Sequence, residues 1–116
     1  MTIITLPFPP KELSPNGRVH WAVKAKATAS YRAECSWRAR AQGLYPMEMD
    51  CLPMTITFHP PTARLHDKSN LIGRFKAGED GLMDACGIDD RHFVQTYILA
   101  EPRKNGAVIV EVKHGP

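Results

Sequence analysis

The chain has 116 residues, 43% hydrophobic and 23% charged. That is a single-domain length with globular composition, and it excludes a wholly disordered chain. No run approaches the ~20 apolar residues that span a bilayer. Residues 1–13 lack the basic start and long apolar stretch of a secretory signal, so neither a secretory signal nor a membrane partner is expected. The formal net charge of +3 excludes little by itself. Cys35, Cys51 and Cys86 are far apart and odd in number, which argues against a disulfide framework or a zinc knuckle and suits a cytoplasmic location.

Residues 2–6 are β-branched and apolar and are closed by Pro7, Pro9 and Pro10, which predicts a strand. Residues 8–23 carry the turn signals Ser14-Pro15-Asn16-Gly17 and predict a loop, long for so small a domain. Residues 24–42 alternate apolar and polar positions, a strand period, yet nineteen residues rich in Ala, Arg and Glu favour a helix. Ala29, Ala33, Trp37 and Ala41 fit one helical face, so Trp37 is expected in the core. Residues 54–59 alternate Met54, Ile56 and Phe58 against Thr55, Thr57 and His59, the pattern of a half-buried strand.

Residues 61–69 read as a polar loop and 70–86 as a second helix, with Leu71, Phe75, Gly78, Leu82 and Cys86 on one stripe. Gly87 is placed for a left-handed stop, with Ile88 the apolar residue that follows it. Gly73, Gly78 and Gly81 each cost a helix about 1 kcal/mol relative to Ala, which points to close backbone approach. Residues 93–100 and 108–112 predict two more strands, with Asn105-Gly106 a hairpin signal between them. The order β-α-β-α-β-β predicts an α+β fold in one domain, 1–116. It has a mixed sheet of about four strands and two main helices.

Charge is segregated along the chain. Residues 11–40 hold seven bases against two acids, and residues 79–90 hold five acids and no base. By charge alone such a split is better read as two solvated faces; the sharper reading is a polyanion-binding surface beside a carboxylate cluster. Ser69, Gly73, Lys76, Asp80 and Asp84 lie opposite the apolar stripe of the second helix, at ~100° per residue. Asp67 precedes that helix, and Asp89-Asp90 follow its stop. Carboxylates in such numbers suit magnesium, which takes one or two of them plus waters and phosphate. A lysine beside them can stabilise developing charge. The same residues also admit plainer roles. Asp67 or Ser69 suits a helix cap, Asp89-Asp90 a turn, and Lys76 and Asp80 an i,i+4 ion pair.

The segment His66-Asp67-Lys68-Ser69-Asn70-Leu71, then Lys76 and Asp80, then Gly87-Ile88-Asp89-Asp90, resembles the RusA family of Holliday junction resolvases. These are small dimeric endonucleases with a D-x-D-N-L motif, a helix bearing lysine and aspartate, and an acidic pair before a strand. Leu6-Pro7-Phe8-Pro9-Pro10 and the Ser14-Pro15-Asn16 and His20-Trp21 loop are similar to the family's N-terminus, so the likeness covers nearly the whole chain. It implies a magnesium-dependent endodeoxyribonuclease (manganese could substitute) that acts on four-way junction DNA as a homodimer.

By the same resemblance Asp67 and Asp90 are metal ligands and catalytic, with Asp89 beside them. Asn70 is the motif asparagine and Lys76 the catalytic lysine. Lys76 lies farther from Asn70 than the family lysine does, and Arg74 is its rival. Ser69 stands where the family has its second aspartate, so the site has one fewer formal charge. The chain is then either an enzyme with weaker metal affinity or a junction-binding protein that cleaves poorly. Arg18, His20, Lys24, Lys26, Arg64, Arg74 and Asn70 are the candidate DNA contacts, joined by Arg32, Arg38 and Arg40 on the first helix. Phosphate contacts position a protein on DNA without reading sequence, and His20 and Trp21 suit stacking on bases, although Trp21 suits packing in the core or a dimer interface at least as well.

Overall fold

A computed structural model describes residues 1–15, 18–64 and 66–113; the turn signal at Asn16-Gly17 lies outside them. The strands are β1 (Thr2–Leu6), β2 (Leu52–His59), β3 (Phe93–Leu99) and β4 (Ala107–Val112), and the helices are α1 (Trp21–Ala41), α2 (Lys68–Arg74) and α3 (Lys76–Cys86). The sheet is mixed, in the order β1-β4-β2-β3, with β2 and β3 parallel and the other pairs antiparallel. This is the expected α+β fold. No described helix is long and apolar enough to cross a membrane.

The second helix comes in two pieces. Phe75 adopts φ −87°, ψ 0° between them, but its N–H still reaches the Leu71 carbonyl and its carbonyl still accepts from Glu79 N–H, both at 3.0 Å. The column is therefore continuous, and Leu71, Phe75, Leu82 and Cys86 are all buried on one stripe. Gly87 ends it at φ +71°, with its N–H on the Met83 carbonyl at 2.8 Å. That left-handed stop is the one anticipated, and Ile88 behind it is buried.

Three sequence expectations need correction. Asn105 and Gly106 do turn, at φ 67° and 69°, but they do not close a hairpin. β4 passes over the end of β2 and pairs between β1 and β2, because β3 already pairs in parallel with the far edge of β2. The crossing segment bonds Ala100 N–H to Phe58 O and Arg103 N–H to Pro60 O, both at 2.9 Å. It also covers His59, which is buried with its Nδ1 2.9 Å from Glu101 O, whereas the alternation put it on the open side.

The third correction concerns α1, which begins at Trp21 and not at residue 24. Its core face is Tyr31, Cys35, Ser36 and Ala39, while Ala29, Ala33, Trp37 and Ala41 are exposed, Trp37 by 55%. Both stripes satisfy the helical period. The small Cys35 and Ser36 won because α3 approaches there so closely. A Cβ on Gly81 would lie 2.6 Å from the Arg32 carbonyl oxygen and 2.9 Å from Cys35 Cβ. Trp37 instead lies on the surface under the Arg38 guanidinium, 5.2 Å from its ring centroid.

The helices cover one face of the sheet, where Ile4, Leu6, Met54, Ile56, Phe58, Val108 and Val110 are buried. Phe75 stands edge-on to both Phe58 and Tyr31, linking the helical layer to the sheet. Gln42, just past α1, donates to Thr5 O and accepts from Thr5 N–H, satisfying backbone groups on β1.

Replacing Gly81 by Ala tests the helix contact. Helix propensity alone would stabilise the variant by about 1 kcal/mol. Overpacking against α1 should reverse that to a net loss of roughly 1–3 kcal/mol in urea unfolding. An Ala variant as stable as the parent would exclude so close a crossing.

Candidate functional site

With its apolar stripe turned to the core, α3 presents Lys76, Asp80 and Asp84 away from the sheet. Lys76 Nζ is 3.3 Å from Asp80 Oδ1 and also donates to Asp90 Oδ2. Asp90 belongs to a 3₁₀ turn, Asp90–His92, that runs straight into β3. Two sequence-distant parts of the predicted site thus meet at one ammonium. The bond from Lys76 holds the Asp90 carboxyl below the usual carboxylate range, and the same bond raises the Lys76 ammonium. Lys76 and Asp90 therefore face each other as a charged pair at neutral pH.

Glu79 stands behind this cluster and is buried, 4% exposed. It accepts a hydrogen bond from Tyr97 Oη, and burial pushes its carboxyl up. The Gln95 side chain, also on β3, is close enough to oppose that rise in part. Glu79 is absent from the sequence-based candidates. The signal was a carboxylate between Gly78 and Leu82, next to a stripe otherwise wholly apolar or small.

The other expected ligands have backbone duties. Asp67 caps α2, accepting from Ser69 N–H at 2.9 Å. Asp89 caps the 3₁₀ turn, accepting from Arg91 N–H at 3.0 Å. Ser69 is exposed in the first turn of α2. Asp84 makes a two-point pair with Arg32, at 2.7 and 2.8 Å, which lowers its carboxyl. Among the described residues no three His, Cys, Asp or Glu side chains converge as a metal-ligand group.

The basic residues divide in the same way. Arg32 is taken by Asp84, Arg38 by Glu34 at 2.9 Å, and Arg40 donates to the Asp84 carbonyl at 3.2 Å. Arg74, proposed for DNA or for the site, is half-buried. It lies over the Phe8 ring at 5.1 Å and donates to Pro9 O at 2.6 Å. Asn70 likewise accepts from Ser14 Oγ at 2.8 Å. Both residues tie the N-terminal segment to α2.

Arg18, Lys26 and Arg64 are exposed. Lys24 reaches Ser14 O at 3.5 Å and lines a cleft of about 230 Å³ with Pro15, Thr28, Gly73, Lys76 and Asp80. His20 caps α1 by accepting from Ala22 N–H and stacks on Trp21, which is 76% exposed. The cleft therefore sets Lys24 near Lys76 and Asp80, and Trp21 lines a neighbouring hollow that shares Lys24 and Thr28 with it.

The donor chemistry fits magnesium at Asp80 and Asp90. Both offer hard carboxylate oxygens, and they approach closely enough to share one cationic group, Lys76. Magnesium needs no more than one or two protein carboxylates, the rest of its shell being water and phosphate.

The chain is 40% identical over 116 residues to an uncharacterized protein of Xylella fastidiosa (strain Temecula1 / ATCC 700964), an alignment covering 97% of this chain and 76% of that protein. The chain belongs to the same family as that protein. No family model matches it.

The cap at Asp67 separates structural from chemical roles. Asp67→Ala should cost about 1 kcal/mol in thermal or urea unfolding, while Asp67→Asn, an equally good cap, should cost almost nothing. Equal losses in both variants would mean that its charge, and not its cap bond, stabilises α2.

Proposed function

We propose that this chain is a metal-dependent, structure-selective endodeoxyribonuclease that resolves four-way DNA junctions by paired phosphodiester hydrolysis. The observation that carries the reading is the meeting of Lys76, Asp80 and Asp90 beside the cleft that Lys24 lines. The resemblance of residues 66–71 and 87–90 to the RusA motifs supports it.

Asp80 and Asp90 would hold magnesium or manganese, with Asp67 the further ligand that the resemblance implies. Bound there, the metal supplies an activated water and neutralises charge on the phosphate. The chain's own groups do the rest. The Lys76 ammonium, held beside the carboxylates, donates to the oxygen on which charge develops. Arg18, Lys24 and Lys26 grip flanking phosphates irrespective of sequence. Trp21, prestacked on His20, offers a face to an unpaired base at the junction centre. Paired cuts in opposing strands call for two sites related by two-fold symmetry, so a homodimer is part of the proposal. Free thiols at Cys35, Cys51 and Cys86 are compatible with a reducing cytoplasm.

A second reading is a junction-binding protein without nuclease activity. Lys76 already occupies Asp80 and Asp90 as their shared ion-pair partner, and Ser69 contributes no charge. This reading keeps the basic surface and discards the metal.

A labelled four-way junction incubated with magnesium, or with chelator, distinguishes the two. Symmetric nicks are expected only with metal, and Asp90→Asn or Lys76→Ala should slow them by roughly 10²–10³-fold. Asp67→Asn, which preserves the cap, should match that loss if Asp67 binds metal, whereas Ser69→Asp should strengthen metal dependence. Intact junctions under every metal condition would exclude the enzyme. A salt-sensitive gel shift on the same junction would then leave the binding reading.

A further inference from the structure

We infer that Tyr97 and Glu79 are positioning residues for the Lys76–Asp80–Asp90 cluster, which no motif in the sequence assigns to them. The inference rests on the proposed site and concerns how its halves are held together. Lys76 and Asp80 belong to α3, while Asp90 belongs to the turn that becomes β3. Glu79 lies on α3, between Lys76 and Asp80 in sequence, and Tyr97 lies on β3. Their hydrogen bond is a direct polar tie between the two elements that carry the site.

The geometry makes this tie a setting for rotation. Successive residues of a helix are ~100° apart, so Lys76 and Asp80 lie on the same side of Glu79, turned from it by ~60° and ~100°. Fixing Glu79 on Tyr97 fixes the direction in which both side chains leave the helix. Tyr97 is itself fixed, since its ring stacks on Phe58 at 6.2 Å with an interplanar angle of 2°. Phe58 is wholly buried in the centre of the core. The chain of contact Phe58–Tyr97–Glu79 therefore transmits the position of the sheet to the cluster. A purely apolar pair would hold α3 against β3 without specifying its rotation, whereas a hydrogen bond is directional. Placement errors near 1 Å can cost on the order of 100-fold in rate, so the tie is worth the burial of a carboxyl group.

The experiment compares Tyr97→Phe, Glu79→Ala and Glu79→Gln in the full chain, at a temperature where unfolding curves show all of them folded. The first readout is the Lys76 side-chain ammonium resonance in proton–nitrogen spectra, taken at mildly acid pH in the cold and assigned by its loss in Lys76→Arg. The second is junction cleavage with magnesium, split into kcat and binding. Tyr97→Phe and Glu79→Ala should shift or broaden the ammonium signal and lower kcat about tenfold or more, with junction affinity within about twofold of the parent. Glu79→Gln keeps an acceptor for Tyr97 and should restore most of both readouts relative to Glu79→Ala.

A Tyr97→Phe protein with parental ammonium signal and parental kcat would overturn the inference. So would failure of Glu79→Gln to recover what Glu79→Ala loses, or absence of the signal from the parent. If the parent cuts no junction, the nuclease reading falls and the ammonium signal alone decides the positioning role.

Discussion

The fold depends on how closely α1 and α3 cross. At Gly81 the helices approach until a single Cβ would strike the backbone of Arg32 and the side chain of Cys35. So tight a contact tolerates only small residues on α1, which is why Cys35, Ser36 and Ala39 face inward and the bulkier Trp37 does not. The crossing sets the height of α3 over the sheet. It also brings Arg32 onto Asp84 and Arg40 onto the Asp84 carbonyl. Surface pairs of this kind contribute at most about 1 kcal/mol each. Here they accompany the packing and do not cause it.

The N-terminal segment is the second constraint, because it forms one wall of the cleft. Polar ties hold it down, among them Tyr31 Oη on Pro7 O at 2.6 Å, Arg74 on Pro9 O, and Ser14 Oγ on Asn70. A Cβ on Gly73 would meet the Pro15 ring at 2.8 Å, so α2 needs glycine where the loop leans on it. Arg74 and Asn70 thereby help to shape the cleft by holding that segment against α2. The small net charge of +3 takes on a spatial meaning. Pairing removes Arg32 and Arg38 from the basic field, and Arg40 is engaged by a carbonyl. Arg18, Lys24 and Lys26 at the start of α1 remain, next to the end of the helix that carries partial positive charge.

The candidate site shows how far motif reading reaches. That Lys76, Asp80 and Asp90 share one place was half visible. The i,i+4 spacing joined the first two, and the RusA-like pattern placed Asp90 with them. The caps at Asp67 and Asp89 were equally visible as residue types suited to that work. Nothing in spacing could decide between cap and ligand, since one carboxylate can serve as either and the outcome depends on which elements stand within reach. Glu79 was harder still. Its burial is a property of β3, which brings Tyr97 to it from eighteen residues away in the chain.

The sequence alone determined the type of nearly every element, because hydrophobic period, helix propensity and the Gly87 stop are local properties of the chain. It also determined the stripe of α2 and α3 and the inward set of β2 up to Phe58. Only the tertiary structure decided which of two equally periodic faces of α1 is buried, that β4 inserts between β1 and β2, and that His59 is covered. Those outcomes turn on steric fit and strand pairing between distant segments, and no single segment carries that information. The same holds for the carboxylates. Their number and kind are written in the chain, but whether each one caps a helix, pairs with an arginine or faces the cleft was settled only when α1, α3 and β3 came together.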